Sequence, residues 1–525
     1  MTAASTISAT RDRLLVSFAG FELSPAEADA IARRAAGVTL YRHLNVRSAP
    51  QTRALTDALQ AAAARLGLPP LLIGADHETG QLHAMGDDAT PFAGAMALGA
   101  TGDEALAERV GAAIGTELRA MGVNLVYAPD CDLATNPRNA VVGIRSFGDD
   151  PVAVGRLAAA TVRGLQSAGV AATVKHLPGH GEPGGDSHLG LPLIERSRDE
   201  LFERELVPFR AAIAAGARVA MAGHLAVPAL TGRRDLPATL AREIVTDLLR
   251  GELGFTGLAV SDALDMGGVR GDDGGPDVAS ALLAGIDLLL CGPDPAAQER
   301  VEAGLARAVE RIDPDRRAEA SGRLDEIGRW IAAFDQPPID VVGSDAHRAL
   351  AAELAGRSIS AIRDRAGLLG RPVGSGTRVL VVEPRPGLLT PADTTSLLPA
   401  GGLAAAVRER HPAVDSIVIE DHVTDRAIGD ACRRAAASDL VILGTVDALA
   451  RPSVTGLAKA FAATGVPVVA VALRAPWDAD AYPEIGTVLA TFGIQAPTLG
   501  AVAAAIVQGV PISGRLPVRL ASTAD

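Results

Sequence analysis

The chain is short of everything that staples or anchors a protein. It has three cysteines in 525 residues, Cys131, Cys291 and Cys432, too few and too scattered for a disulfide framework, which fits a reducing compartment. No uninterrupted apolar run approaches the ~20 residues needed to span a bilayer. The hydrophobic content of 48% and mean hydropathy of +0.22 are raised by Ala and Gly. Residues 1–12 lack a basic start, an apolar core and a cleavage site, so the expected location is the cytoplasm, with no membrane partner. Basic patches are missing too: the net charge is -13 and the arginines are interspersed with acids, which argues against nucleic acid and for a small or oligosaccharide-sized ligand. Lysine is the scarcest cation. Of 49 Lys and Arg residues only Lys175 and Lys459 are lysine, and a compact ammonium is not readily exchanged for a planar guanidinium. Lys459 sits on an Ala-rich helical stretch and reads as surface, whereas Lys175 lies in a cluster of titratable groups.

The length exceeds one ordinary core, so two domains are expected. Short apolar runs at 14–19, 38–41, 71–75, 124–128, 171–174, 219–222, 258–260 and 287–290 read as strands. Between them lie segments with helical periodicity, such as 104–121 and 198–215. Eight strands alternating with helices predict a (β/α)8 TIM-type barrel, whose site residues leave the C-terminal strand ends. The residues after the third to seventh strands fit that rule: Asp76-His77-Glu78, Asp130 and Asp132, Lys175-His176, His224, and Asp262. A closing helix over 316–334 and the Pro-rich 335–338 follow. The expected division is a barrel over 1–334, a linker over 335–345 and a smaller α/β open-sheet (sandwich) domain over 346–525. Strands of the second domain are expected at 379–382, 417–419, 440–443, 468–472 and 488–491, with no Gly-rich dinucleotide fingerprint after any of them.

The segment 175–188 reads Lys-His-Leu-Pro-Gly-His-Gly-Glu-Pro-Gly-Gly-Asp-Ser-His and holds three of the ten histidines. Lys175 and His176 are expected to leave a strand, and Pro178 with four glycines puts the following chain in a loop. A zinc reading of His176, His180, Asp186 and His188 is disfavoured, because a His-x-x-x-His pair shares a face only in a helix, which Pro178-Gly179 opposes. His180 reads as holding the loop by hydrogen bonds rather than reacting.

This segment resembles the β-N-acetylglucosaminidase branch of glycoside hydrolase family 3. The branch pattern is Lys-His-Phe-Pro-Gly-His-Gly, four variable residues, then Asp-Ser/Thr-His; here Leu177 replaces the Phe and the other fixed positions match. Asn136-Pro137, Arg145-Ser146-Phe147-Gly148, Val260-Ser261-Asp262, Thr491-Phe492-Gly493 and Ser513-Gly514-Arg515-Leu516-Pro517-Val518 extend the likeness over most of the chain. The resemblance implies a retaining, exo-acting hydrolase of β-linked N-acetylglucosamine. Asp262 would be the nucleophile (Asp265 is the local rival), and His188, paired with Asp186, the acid/base. Asp76, Arg145, Lys175 and His176 would bind the sugar, with no cofactor and no metal. A site-wall role and a structural role are both open for Asp132 and His224. A monomer or homodimer acting on GlcNAc-containing carbohydrate is expected.

The chain departs from the family pattern at Asp76-His77-Glu78-Thr79-Gly80-Gln81-Leu82-His83-Ala84. The branch carries arginine where Gln81 and Ala84 stand, and the second of these contacts sugar. Losing a charge-assisted donor alters recognition. Phosphorolysis, hydrolysis of another β-glycoside and sugar binding without turnover are therefore alternatives.

Overall fold

The computed structural model describes residues 10–182, 190–265, 269, 277–385, 387, 393–394, 398, 400–420 and 422–521. Among these, eight parallel strands form one sheet: β1 (Leu14–Val16), β2 (Gly37–Leu40), β3 (Leu72–Ala75), β4 (Leu125–Val126), β5 (Ala171–Leu177), β6 (Val219–Ala222), β7 (Leu258–Ser261) and β8 (Leu289–Leu290). They pair in chain order, and β1 also pairs with β8. A bridge between Val260 and Leu288 brings β7 to β8, so the sheet rolls into the expected barrel. Every strand residue is buried, as expected where side chains fill a barrel on one face and meet helices on the other.

The helices follow from their caps and apolar faces. In α1 (Glu104–Ala120) the Asp103 side chain accepts from the Leu106 N–H, and Leu106, Val110, Ile114 and Leu118 recur at helical spacing on the buried side. Asp150 caps α2 (Pro151–Ser167) in the same way, with Pro at the first position. The closing helix α3 (Pro314–Ala332) presents Ile327, Trp330 and Ile331 to the cluster of Leu15, Val219, Leu258 and Leu288 inside the barrel. Arg13, just before β1, donates to the carbonyl of Arg317 at 2.8 Å. This helix therefore plugs the N-terminal end of the barrel and leaves the C-terminal end for chemistry.

A second sheet has six strands: β9 (Ser360–Asp364), β10 (Val379–Pro384), β11 (Val414–Ile419), β12 (Leu440–Thr445), β13 (Val468–Ala472) and β14 (Thr487–Ala490), in the order β9-β14-β13-β12-β10-β11. Five are parallel, as anticipated. The edge strand β9 runs antiparallel to β14 and is an addition to the five expected strands; its Ser-Ala-Ile-Arg-Asp sequence has no apolar run to announce it. The two sheets are tied at Glu117 of α1. This buried carboxylate accepts from the Thr90 N–H (2.8 Å) and hydroxyl (2.5 Å), from the Gly343 N–H (3.0 Å) and from His347 Nδ1 (2.7 Å) on α4 (Asp345–Ser358). No described helix is long and apolar enough to cross a membrane.

Candidate active site

The site grows from the ends of β3, β4, β5 and β7. Strand β5 continues through Leu177, three residues beyond the expected end at 174, because Asp130 bridges to Lys175 and the Cys131 N–H donates to the Lys175 carbonyl at 2.7 Å. Lys175 and His176 are thus held by strand pairing rather than carried on a loop. The Lys175–His176 and Leu177–Pro178 peptide bonds are cis.

The Lys175 side chain is only 2% exposed, and Nζ lies 2.9 Å from Asp76 Oδ1 and 2.6 Å from Glu78 Oε1. Arg145 grips Glu78 with two hydrogen bonds of 2.8 Å, from Nε and Nη2, and reaches Asp130 at 3.7 Å. Two carboxylates and two cations alternate in this buried array, so each charge has an opposite neighbour. Burial raises the Glu78 carboxyl, but Arg145 and Lys175 outweigh it and bring it to about 2. Burial lowers Lys175, and Asp76 and Glu78 reverse the sign, holding the ammonium above its ordinary range. Asp76 is half-buried and forms the outward edge of the array.

Behind the array, Asp132 organises the base of the loop. One of its oxygens accepts from the backbone N–H of His176 (3.2 Å) and of His180 (2.7 Å), and the other from His176 Nδ1 (2.7 Å). Burial pushes His176 down to about 4, Asp130 opposing and Arg145 assisting. The ring is therefore neutral at pH 7, with its proton on Nδ1 facing Asp132 and an acceptor lone pair on Nε2. Burial likewise takes His180 to about 4, and its ring stands edge-on to His176 at 5.7 Å. Asp130, Asp132 and His176 could approach one cation, their ligand atoms lying within 4.8 Å of one another. Asp132, however, spends both oxygens on three N–H groups, which makes the trio a positioning network.

The next turn of chain is built from the β4 side. Asn139 Nδ2 donates to the His180 carbonyl (2.8 Å) and Asn136 Nδ2 to that of Glu182 (2.9 Å). At Gly181 any Cβ would overlap the Leu133 carbonyl oxygen, so only glycine passes. Asp186 and His188 lie outside the described residues.

Asp262 follows β7 directly. Its N–H donates to the Ala222 carbonyl at 3.1 Å and its Oδ1 accepts from the Ala263 N–H at 2.8 Å. It is half-buried, and its charge acts on the rings of both His176 and His180. Asp265, the rival, is the more exposed residue and hydrogen-bonds the Gly292 backbone. His224 is fully buried, its Nδ1 at 2.8 Å from Thr239 Oγ1 and its Nε2 at 3.1 Å from the Ala263 carbonyl, so it braces the segment after Asp262. Of the residues singled out in sequence, Asp76, Arg145, Lys175 and His176 converge at one end of the barrel beside Asp262. Glu78, the carboxylate shared by both cations, was not assigned a role there. Its signal was the Asp-x-Glu spacing, which in extended chain puts both carboxylates on one side.

The barrel and its second domain are the architecture to which the comparisons with known proteins lead. The model of the glycosyl hydrolase family 3 N terminal domain matches residues 15–321, and the chain belongs to that family. A glycoside hydrolase family 3 β-N-acetylglucosaminidase structure from Paenibacillus sp. str. FPU-7 superposes with a TM-score of 0.91 at 32% identity, covering 99% of each chain. A β-N-acetylglucosaminidase/β-glucosidase of Cellulomonas fimi is 30% identical over 90% of this chain and 87% of its own length. β-Hexosaminidase A of Pseudoalteromonas piscicida is 33% identical over 65% of this chain, which spans 62% of that relative.

Proposed function

We propose that the protein is a retaining, exo-acting β-N-acetylglucosaminidase, with the barrel of residues 1–334 as catalytic unit, joined by 335–345 to a second domain over 346–525. The observation that carries this reading is the placement of Lys175, clamped between Asp76 and Glu78, at the same strand ends as Asp262. Such an array presents fixed donors and acceptors to ring hydroxyls, and Asp262 supplies a carboxylate beside it. The names carried by the relatives support GlcNAc as the sugar.

In this reading Asp262 attacks the anomeric carbon while His188, oriented by Asp186, protonates the departing glycosidic oxygen. His188 then takes a proton from water, whose oxygen displaces Asp262 and restores the β configuration. Asp76, Arg145, Lys175 and His176 bind the sugar, His176 through its Nε2 acceptor. Three scattered cysteines favour the cytoplasm as its compartment, where GlcNAc-bearing cell-wall fragments are fitting substrates. The test is an aryl β-glycoside screen with GlcNAc, GalNAc, glucose and xylose, with and without phosphate. GlcNAc release should lead and be independent of phosphate, and Asp262→Ala should lose at least about 10³-fold in kcat. A sugar 1-phosphate product, or an unchanged Asp262→Ala, would overturn the reading.

A further inference from the structure

The carboxylates that flank Lys175 hang on a hairpin held by the second domain. After Asp76 the chain runs out along His77–Thr79 and returns along Leu82–His83. The tip residues Thr79 and Gly80 both have positive φ, 69° and 59°, a conformation that a β-branched side chain resists. The tip therefore needs outside support. Gln495 Nε2 donates to the Gly80 carbonyl (2.6 Å), the Thr394 N–H (2.9 Å) and hydroxyl (2.8 Å) donate to the Gln81 carbonyl, and the His83 N–H donates to Thr394 Oγ1 (3.1 Å). Arg474 Nη2 reaches Gln81 Oε1 at 3.2 Å and pairs with Asp393.

All of these groups but Thr394, which is half-buried, are buried, and Arg474 is among the largest fully buried side chains of the protein. Gln81 stands where the resembled motif has arginine; an arginine there would set a second guanidinium against Arg474, whereas the amide oxygen accepts from it. Arg474 and Gln495 lie just beyond the C-terminal ends of β13 and β14. Open parallel sheets bind their ligands at that edge, and here the edge is filled by the barrel's own hairpin.

We propose that Arg474 and Gln495 are positioning residues for sugar binding, fixing the hairpin so that Asp76 and Glu78 meet Lys175 and Arg145. The second domain is then a working part of the sugar site. This rests on the reading of Asp76 as a sugar ligand. The test compares full-length wild type with Arg474→Met, Gln495→Ala, Asp76→Ala and the doubles carrying Asp76→Ala, assayed on an aryl β-GlcNAc glycoside alongside melting temperature. Ring-gripping contacts act on ground and transition states alike, so Arg474→Met should raise KM about 10- to 100-fold with kcat within about threefold. Gln495→Ala should shift KM the same way, and Arg474→Lys should restore part of the loss. In the Asp76→Ala background both penalties should shrink, because one of the two carboxylates they position is gone. A lowered melting temperature with unchanged KM, or penalties that multiply in the doubles, would sink the inference. If Arg474→Met fails to fold because the Asp393 carboxylate loses its buried guanidinium, the neutral Gln495→Ala decides alone. Should Asp76→Ala leave KM unchanged, the sugar-ligand reading fails instead.

Discussion

Glu78 concentrates the order of the site in one carboxylate. It is hydrogen-bonded twice by Arg145 and touched by Lys175, so Glu78→Gln removes a shared counter-charge without changing shape. Breaking a buried ion pair from one side costs about 3–5 kcal/mol. We expect the variant to lose on that order of stability in urea unfolding and about 100-fold in kcat/KM, with Arg145 and Lys175 repelling each other across the gap. The pH sign follows from its depressed pKa. The stabilisation is present above the ordinary carboxylate range and is lost as pH falls towards about 2, so wild type and Glu78→Gln should converge in stability at low pH. Lys175 could be singled out because lysine is so scarce. Glu78 offered only its spacing to Asp76, because one acid among 62 gains its full meaning from the two cations that the fold brings to it.

At the scale of elements, the eight barrel strands were legible because each is a short apolar run between helix-patterned stretches, and burial on both faces leaves no room for polar alternation. Strand β9 was illegible for the opposite reason: only one of its five residues is buried. The extension of β5 to Leu177 was also missed, since a Pro-Gly pair reads as punctuation, while long-range pairing with Asp130 carries the strand on. The loop stem gives a clean test. Gly181→Ala drives a methyl into the Leu133 carbonyl, whereas a Cβ at Gly190 meets nothing within 4 Å. We expect Gly181→Ala to cost about 1–3 kcal/mol and at least about tenfold in kcat, with Gly190→Ala within about 0.5 kcal/mol of wild type, both by thermal unfolding and steady-state assay. Equal behaviour of the two would contradict the steric account.

At the scale of the whole molecule, two pairs of imidazoles are buried among the described residues, His77 with His83 beside the domain junction and His176 with His180 at the barrel mouth. Burial lowers His77 well below 6.5 and brings His83, His176 and His180 each to about 4. Below pH 6.5 the unfolded chain takes up protons that the folded one refuses, so stability is flat above 6.5 and falls as pH drops towards 4. His83, His176 and His180 each contribute on the order of 3 kcal/mol to that loss. Unfolding free energies at pH 7.5, 6 and 5 should show this fall, and replacing His83 by Gln should flatten it. The domain junction itself was beyond sequence reading: Arg474 and Gln81 are 393 positions apart, and no periodicity links them.

The near-absence of lysine has a practical corollary. Lys175 is shut between two carboxylates and Lys459 stands exposed on the helix Pro452–Ala463. Apart from the terminal amine, an acylating dye therefore has one side-chain target, on the smaller domain. A fluorophore attached there would report on the second sheet while leaving the barrel mouth unlabelled.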